Sequence, residues 1–392
     1  MTKFHVLGLG SIGAIIANSL QELQKTTSSL QIEVIPIIRN KSKVVDFGKN
    51  HDFKLKINQL YHKKTVISDP FELTTCPEML NESKDTLTRE PIENLVITTK
   101  THQTVAALKP IWNERLINEN TNIILIQNGF GMLEELITAF PEIASKNFKV
   151  FQGVISHGVF MENYPNEFNH AGFLDLKIAM INGMEDNGIK GLQTVQDLQK
   201  LKQENALISV FQHLNLDVKV LTFQELTVGQ IEKFCVNCCI NSITTILNCV
   251  NGQLLVNEVE TRKLFTNVIT EVTTLFAQSE KYKNIFNYYN VIENVANKEN
   301  YPNTIDLTKL NNIPKLLDYV VDIGCVKNRE NSSSMRQDAI NKRDTEIDFI
   351  NGYVVRLCLQ ELSLPVSHCS VNNTIVSFVK VKNQLLKETS NV

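Results

Sequence analysis

The feature that most restricts the fold is a glycine-rich turn near the N-terminus, GLGSIG at residues 8–13. It follows a short apolar strand at residues 3–7 and opens a helical stretch from about Ser11 to Leu23. The first glycine permits a tight turn, the second lets a pyrophosphate approach the backbone, and the third lets helix and strand pack closely. The pattern predicts a dinucleotide site at Gly8, Leu9, Gly10, Ser11, Ile12 and Gly13, with a purely structural turn as the alternative.

Further apolar runs alternate with helical stretches along the first half of the chain. The runs that we interpret as strands are EVIPIIR ending at Arg39, NLVITTK at 94–100, NIILIQNG at 122–129 and VFQGVISHGVF at 150–160. Near-continuous apolar runs are typical of parallel strands that are buried on both faces. The stretches 48–92 and 181–205 are polar and poorly periodic, so we interpret them as loop-rich insertions. This alternation predicts an α/β fold with a Rossmann-type doubly wound sheet.

From about Leu221 the chain becomes helical in character. The helical patterns cover residues 223–248, 256–284, 333–361 and 371–388, and an Asn-rich stretch at 285–318 reads as an irregular connection. We therefore expect a nucleotide-binding domain with insertions over 1–220 and an all-helical domain over 221–392.

The end of the second strand indicates which nicotinamide cofactor the chain binds. An NAD-specific site normally offers a carboxylate there to hold the ribose 2′-hydroxyl. This strand instead ends in Arg39 and continues with Lys41 and Lys43, without an acidic residue at that point. Guanidinium and ammonium groups suit a 2′-phosphate, so NADPH is favoured over NADH. An ordinary basic loop is the alternative.

Two later strand ends carry polar residues at the edge where doubly wound sheets bind ligands. Lys100 closes one strand, and Asn128 with Gly129 closes the next. Each alone is more typical of a turn. Together, beside a nucleotide site, they are candidate contacts to cofactor or substrate.

A polar stripe runs along the otherwise apolar segment EKFCVNCCINSITTILN at 232–248. Lys233, Asn237 and Asn241 recur at steps of four, which places them within about 80° on one side of a helix. Thr244 and Asn248 fall on the same strip. A helix edge facing water is the alternative, but two asparagines in register are poor helix formers and a poor match to a solvated edge. The stripe predicts side chains that face a ligand.

The segment NSSSMRQDAINKRDTEIDFING at 331–352 also combines polar and charged residues. We interpret Ser334, Asp338 and Glu346 as parts of one helical run. The charges in it are equally typical of a solvated helix face.

Composition restricts the classes of function. A formal net charge of −3 provides no general attraction for nucleic acid or an anionic membrane. No apolar run approaches the roughly 20 residues of a membrane-spanning helix. A strand begins almost at the N-terminus, leaving no room for a presequence, so we expect a cytoplasmic protein. Four of the eight cysteines crowd residues 235–249, and we interpret them as core residues because no second group of metal ligands accompanies them. No metal is expected.

Taken in order, these motifs resemble the ketopantoate reductase (2-dehydropantoate 2-reductase) family. The resemblance covers most of the chain. It is carried by GLGSIG at 8–13, Arg39, Lys100 within TTKTHQ, QNG at 127–129, EKFCVNCCINSITTILNCVNG at 232–252, NSSSMRQD at 331–338 and TEIDFING at 345–352.

The resemblance implies NADPH as cofactor, a small 2-oxo acid as substrate, and a role for each motif residue. It makes Lys233 the catalytic lysine and general acid, and Glu346 a carboxylate beside it that also lies near the cofactor. Asn237, Asn241, Asn251 and Ser334 match substrate-holding groups. Asn128 and Lys100 match groups near nicotinamide and substrate, Arg39 matches a 2′-phosphate contact, and Gly158 matches a cofactor contact. Thr244 and Asn248 become supporting residues.

The resemblance leaves two alternatives and one open question. The same side chains suit an NADPH-dependent reductase of another branched 2-oxo acid. A non-catalytic, NADPH-binding regulatory protein could also use the scaffold, although such a chain would be expected to lose the lysine, the glutamate or the asparagines. The insertions leave open whether the protein is a monomer or a homodimer.

Overall fold

The computed structural model describes residues 1–27, 30–82, 90–146, 148–163, 166–182, 189, 191–295 and 297–388, without the side chains of 80–82. It contains two compact units. The first comprises Met1–Gln127, Leu133–Glu185 and Gln196–Thr222, and the second comprises Asn128–Met132, Asp186–Val195 and Phe223–Val392. The predicted fold class is confirmed: a Rossmann-type sheet is followed by a helical region. The assignment of cofactor and substrate to residues 1–220 and 221–392 stays a prediction.

The first unit is built on a seven-stranded sheet in the order β11-β10-β7-β6-β5-β1-β2. Neighbouring strands are parallel except for β10, which pairs antiparallel with β7. The strands of the chain are β1 (Thr2–Leu7), β2 (Ile32–Ile37), β3 (Lys56–Gln59), β4 (Lys64–Ile67), β5 (Asn94–Ile97), β6 (Asn122–Ile126), β7 (Val150–Ile155), β8 (Gly158–Asn163), β9 (Glu167–Gly172), β10 (Leu176–Asn182) and β11 (Val218–Val220). The chain order reverses at β1, which lies between β2 and β5, and such a switch point is where doubly wound sheets bind ligands.

Helices flank this sheet. They are α1 (Ser11–Thr26), α2 (Lys41–His51), α3 (Pro77–Glu82), α4 (Thr101–Asn113), α5 (Met132–Ala139), α6 (Glu142–Ser145), α7 (Val195–Glu204) and α8 (Ala206–Phe211). The interpretation of 181–205 as a loop-rich insertion is wrong for its second half, because α7 forms there. Only Leu198 and Leu201 are buried on that helix, so its periodicity in the sequence is weak.

A second sheet of four strands, in the order β4-β3-β9-β8, was not predicted. The interpretation of 48–92 as loop-rich is wrong for β3, β4 and α3. The two strands are short and polar, with Ile57 as the one buried residue of the pair. The single strand predicted over 150–160 is also wrong. It divides into β7 and β8 because His157 is buried between them and hydrogen-bonded to the carbonyl of Leu216.

The second unit is helical. Its α-helices are α9 (Phe223–Leu247), α10 (Glu258–Gln278), α11 (Lys283–Phe286), α12 (Tyr288–Glu293), α13 (Ile313–Val321), α14 (Ser334–Ile340), α15 (Asn351–Arg356) and α16 (Ser370–Glu388). Short 3-10 segments cover Asn251–Asn257, Lys298–Asn300, Ile347–Phe349 and Val366–His368, and π-helical segments cover Asp322–Lys327 and Leu357–Glu361. The stretch 285–318, predicted to be irregular, contains α12 and the start of α13 among its turns.

The single helix predicted over 333–361 is wrong. Helix α14 ends at Ile340, and Lys342 adopts a left-handed conformation with a φ of 57°. The chain then passes through a turn before the 3-10 segment Ile347–Phe349. Ser334 and Asp338 therefore share a helix, whereas Glu346 lies beyond its end.

Among the described residues, no single helix is both long and apolar enough to cross a membrane. The pair Phe223–Leu247 and Asn251–Gln278 reaches the required length and hydropathy only together, and it is bent by 83°.

A chain of hydrogen bonds joins the loop before β11 to strand β9 and to the connection between β3 and β4. His157 Nε2 lies 3.0 Å from the Leu216 carbonyl, His157 Nδ1 lies 2.9 Å from His170 Nε2, and His170 Nδ1 lies 3.2 Å from the hydroxyl of Tyr61. The Leu216 carbonyl can only accept, so His157 Nε2 carries a proton. Burial of both rings favours their neutral forms, in which His157 Nδ1 accepts from His170 Nε2 and His170 Nδ1 accepts from the Tyr61 hydroxyl.

We expect this pair to make the protein less stable in mild acid. Burial lowers the pKa of His157, and burial together with the neighbouring His157 lowers the pKa of His170 from 6.5 to about 4. The unfolded chain thus binds protons that the folded chain does not, so stability falls as the pH drops from about 6.5 to about 4, by about 3 kcal/mol at most for His170.

Urea unfolding between pH 7.5 and pH 4 measures this effect. In His170→Gln, the free energy of unfolding should fall less between pH 7.5 and pH 4 than in the wild type. The control is His62→Gln, at an exposed histidine next to Tyr61 in the β3–β4 connection, and its pH dependence should match the wild type. An identical pH dependence in His170→Gln and the wild type would contradict the expectation.

Candidate active site

The glycine turn has the geometry of a dinucleotide site. Gly8 has a φ of 96°, which disfavours a side chain, and a Cβ on Gly13 would lie 2.0 Å from the carbonyl oxygen of Gly8. By contrast, a Cβ on Gly10 would meet no described atom within 4 Å, so space is open there. Gly10 supplies no side-chain cap to α1, whose first-turn amides are therefore available to an anion. The turn fits a pyrophosphate.

The predicted 2′-phosphate contact lies at the start of α2. Arg39 is exposed, and its Nη2 donates to Gln103 Oε1 over 3.3 Å. Asn40 caps the helix by accepting from the backbone amide of Lys43 over 3.1 Å. The cationic side chain of Arg39 thus lies beside the N-terminus of α2, a helix of eleven residues. This arrangement attracts anions.

A carboxylate that was not predicted from the sequence lies at the same helix start. The Oε2 atom of Glu78 accepts from the backbone amide of Lys41 over 2.8 Å and from the thiol of Cys76 over 3.2 Å. Glu78 comes from α3, almost forty positions after Arg39, so no local sequence signal connects the two. The sequence directly after β2 lacks an acidic residue, as predicted, but the fold brings the carboxylate of Glu78 to this point.

Polar groups cluster at the ends of β5 and β6. Gln127 Nε2 donates to the carbonyl of Thr99 over 2.5 Å and to the hydroxyl of Thr104 over 2.6 Å. Lys100 precedes the first residue of α4, and its carbonyl accepts from the Thr104 hydroxyl over 3.1 Å. These bonds fix the backbone at Lys100. Gly158 opens β8 in the second sheet, opposite Gly172, and its cofactor role stays a prediction.

The polar stripe is one side of a mostly buried helix, α9. Lys233 and Asn237 are half-buried and Asn241 is 9% exposed. Asn241 Nδ2 lies 3.4 Å from Asn237 Oδ1, as the step of four requires. The neighbouring Glu232 pairs with Lys309 at 3.1 Å, so its charge is balanced by a different lysine. Lys233 and the two amides thus form a compact polar strip on a core helix.

The far end of the stripe contacts the loop before α14. The hydroxyls of Thr244 and Ser333 are 2.7 Å apart, and Asn248 Oδ1 accepts from Arg336 Nε over 3.1 Å. Ser333 is buried and caps α14, whereas Ser334 is exposed at the first position of that helix. Of the two serines, Ser334 is therefore the exposed one. The structural role of Ser333 was not predicted from the sequence.

Asn251 and Glu346 are buried polar residues of the same unit. Asn251 is 6% exposed, and its backbone amide donates to the backbone carbonyl of Asn331 over 3.0 Å. Its side-chain Oδ1 has no hydrogen-bond partner among the described residues. A buried amide oxygen without a partner is costly, so a ligand donor is expected there. Glu346 is 5% exposed and its backbone carbonyl accepts from the amide of Phe349 over 3.0 Å.

Asn128 belongs structurally to the helical unit, although it follows a strand of the sheet. It is half-buried and immediately precedes Gly129, whose φ of 87° sharply turns the chain. The structure therefore places Asn128, Lys233, Asn237, Asn241, Asn251, Ser334 and Glu346 in one unit. It places Gly8–Gly13, Arg39, Lys100 and Gly158 in the other.

The cysteines of α9 are core residues. Cys235, Cys238 and Cys239 are fully buried, and burial raises the pKa of each thiol well above its usual value. Buried thiols of this kind are unreactive. Among the described residues, no three His, Cys, Asp or Glu side chains are grouped so as to hold a metal ion.

Comparison with known proteins supplies a family for this arrangement. The family model described as Ketopantoate reductase PanE/ApbA matches residues 4–183, and the model described as Ketopantoate reductase PanE/ApbA C terminal matches residues 225–383. The 2-dehydropantoate 2-reductase of Saccharomyces cerevisiae is 36% identical over 396 residues, covering 99% of this chain and 96% of that protein.

Two solved structures share the fold. A ternary structure of D-mandelate dehydrogenase with NADH and anilino(oxo)acetate has a TM-score of 0.68 at 18% identity, over 98% of this chain and 99% of that one. The putative 2-dehydropantoate 2-reductase of Enterococcus faecalis has a TM-score of 0.61 at 19% identity, with the same coverage.

Proposed function

The chain belongs to the ketopantoate reductase family, and we propose that it reduces 2-dehydropantoate to (R)-pantoate with NADPH, as a step of pantothenate and coenzyme A biosynthesis. The observation that carries the proposal is the polar strip of Lys233, Asn237 and Asn241 on a core helix. A 2-oxo acid offers a carboxylate and a ketone oxygen, which both accept hydrogen bonds from ammonium and amide donors.

When bound, NADPH supplies the hydride that adds to the keto carbon. Negative charge then develops on the keto oxygen, and the Lys233 ammonium stabilises this charge and donates a proton to the same oxygen as general acid. The Glu346 carboxylate orients the ammonium. Asn237, Asn241, Asn251 and Ser334 hold the substrate carboxylate and terminal hydroxyl, so that one face of the ketone is presented. The Oδ1 of Asn251, which has no hydrogen-bond partner among the described residues, can accept a hydrogen bond from the substrate hydroxyl.

The first unit holds the cofactor in this proposal. The amides of Gly10 to Gly13 bind the pyrophosphate, and Arg39 binds the 2′-phosphate through charge-assisted hydrogen bonds. Lys100 and Asn128 contact the nicotinamide end, and Gly158 provides a further backbone contact. The protein acts in the cytoplasm, as a monomer or a homodimer, and light scattering of the purified chain distinguishes these two states.

Glu78 should weaken the preference for NADPH. Its carboxylate occupies an amide of the α2 N-terminus that would otherwise be available to the 2′-phosphate. Because Glu78 is exposed, its repulsion of a phosphate is screened, and Glu78→Gln should lower the KM for NADPH about two- to fivefold. The KM for NADH should change little. Initial-rate kinetics with each cofactor measure both values, and a raised KM for NADPH would refute the assignment.

Product identification tests the proposed reaction. Purified protein incubated with NADPH and 2-dehydropantoate should yield (R)-pantoate alone, as resolved by chiral chromatography. Turnover with another branched 2-oxo acid but not with 2-dehydropantoate would favour the alternative substrate. NADPH binding without turnover of any such acid would favour a regulatory protein.

A further inference from the structure

Gln230 connects two of the proposed active-site segments. It lies three residues before Lys233 on α9, is half-buried, and its Nε2 donates to the carbonyl oxygen of Gly129 over 3.2 Å. Gly129 directly follows Asn128. The side-chain amide of Gln230 therefore joins the backbone next to Asn128 to the helix turn that carries Lys233.

Two backbone hydrogen bonds continue this connection towards Glu346. The amide of Phe130 donates to the carbonyl of Phe349 over 3.0 Å, and the amide of Phe349 donates to the carbonyl of Glu346 over 3.0 Å. The fit is close, because a Cβ on Gly129 would lie 2.2 Å from the Phe349 oxygen. The backbones that carry Asn128, Lys233 and Glu346 are thus joined by three hydrogen bonds.

An aromatic cluster anchors one side of the 128–132 segment. The ring of Phe130 is buried, with its centroid 5.0 Å from the ring of Phe234 and 5.5 Å from that of Tyr353. This packing holds the segment after Gly129. On the side nearer Asn128, the carbonyl of Gly129 accepts a hydrogen bond from the side-chain amide of Gln230. Among the described hydrogen bonds, this is the one that a side chain makes to that carbonyl.

We propose that Gln230 is a positioning residue, which holds Asn128 in register with Lys233. The proposal rests on the proposed function, in which Asn128 contacts the nicotinamide end of the cofactor and Lys233 protonates the keto oxygen. Errors in register of about 1 Å can cost on the order of 100-fold in rate. Gln230 provides the donor that fixes this register, so losing the donor should lower kcat. Cofactor binding should change little, because the proposed contacts to the pyrophosphate and the 2′-phosphate do not involve Asn128.

The test compares two variants at position 230 with a matched control on the same helix. Gln230→Met keeps the length of the side chain but removes the donor, and should lower kcat about tenfold while the KM for NADPH stays within about twofold. Gln230→Glu cannot donate as a carboxylate but can donate once protonated, so its kcat relative to wild type should rise as the pH falls.

The control is Gln224→Met. Gln224 is fully buried on α9, nine residues before Lys233, and its Nε2 donates to the carbonyl of Gln193 over 2.7 Å. Its Oε1 also accepts from the backbone amide of Gln193 over 2.9 Å, so the control removes at least as many hydrogen bonds as Gln230→Met does. This variant should lower the Tm without changing kcat or its pH dependence. Equal losses of kcat in Gln224→Met and Gln230→Met, or a wild-type kcat in Gln230→Met, would overturn the proposal.

Hydrogen exchange separates this claim from the proposed function. Peptides covering 128–132 should exchange faster in Gln230→Met than in the wild type and in Gln224→Met, whether or not 2-dehydropantoate is a substrate. Unchanged exchange refutes the positioning role itself. Absence of wild-type turnover, with faster exchange in Gln230→Met, would refute only the proposed reaction.

Discussion

Replacing Lys233 by alanine should lower kcat for 2-dehydropantoate reduction by roughly 100- to 10,000-fold, the usual contribution of a general acid. The variant loses both the cation that stabilises the developing oxyanion and the proton that neutralises it. Lys233→Arg should recover little, because a guanidinium keeps the charge but does not give up its proton near neutral pH. Steady-state kinetics at saturating NADPH measure the effect.

Lys309→Ala is the matched control for the loss of a lysine charge. Lys309 pairs with the buried Glu232 at 3.1 Å, and Glu232 is the residue next to Lys233 on α9. We expect this variant to be less stable, since the buried Glu232 carboxylate loses the ion pair with Lys309, but to keep its kcat. If Lys233→Ala kept a near-normal kcat, Lys233 would not be the general acid.

Replacing Arg39 by alanine should raise the KM for NADPH roughly tenfold or more, since charge-assisted hydrogen bonds contribute about 1.5–3 kcal/mol. NADH lacks the 2′-phosphate, so its KM should change far less. Arg39→Lys should have an intermediate effect, because it keeps the charge but not the planar fork. Both cofactors are measured at saturating 2-dehydropantoate. Equal increases in both KM values would refute the 2′-phosphate contact.

The sequence allowed the elements with strong local patterns to be predicted. The strand, glycine turn and helix at residues 2–26 follow from apolar periodicity and from backbone conformations that only glycine adopts easily. Helix α9 and its polar strip follow from the step of four, and the 3.4 Å contact between Asn237 and Asn241 agrees with that register.

Features that depend on distant parts of the chain could not be predicted in this way. Glu78 reaches the α2 N-terminus from a separate helix, and the β3–β4 pair is too short and polar to give a strand pattern. The break after Ile340 is set by the left-handed conformation of Lys342, for which the sequence offers no glycine as a signal.

The candidate site shows the same division between local and distant information. The motif residues lie in the units to which their strands and helices belong, except for Asn128. This residue follows β6 in sequence but clusters with the helical unit, because the Phe130 ring and the Phe349 carbonyl hold the segment there. Tertiary contacts, rather than local pattern, therefore decide which residues share the environment of Asn128.

The most direct test of the central claim is the initial rate of NADPH oxidation by the purified protein across a panel of 2-oxo acids. The panel contains 2-dehydropantoate and branched 2-oxo acids that lack its terminal hydroxyl. The proposed function predicts the highest kcat/KM for 2-dehydropantoate, because Asn237, Asn241, Asn251 and Ser334 are assigned to hold its polar groups. NADPH binding without oxidation by 2-dehydropantoate would contradict it.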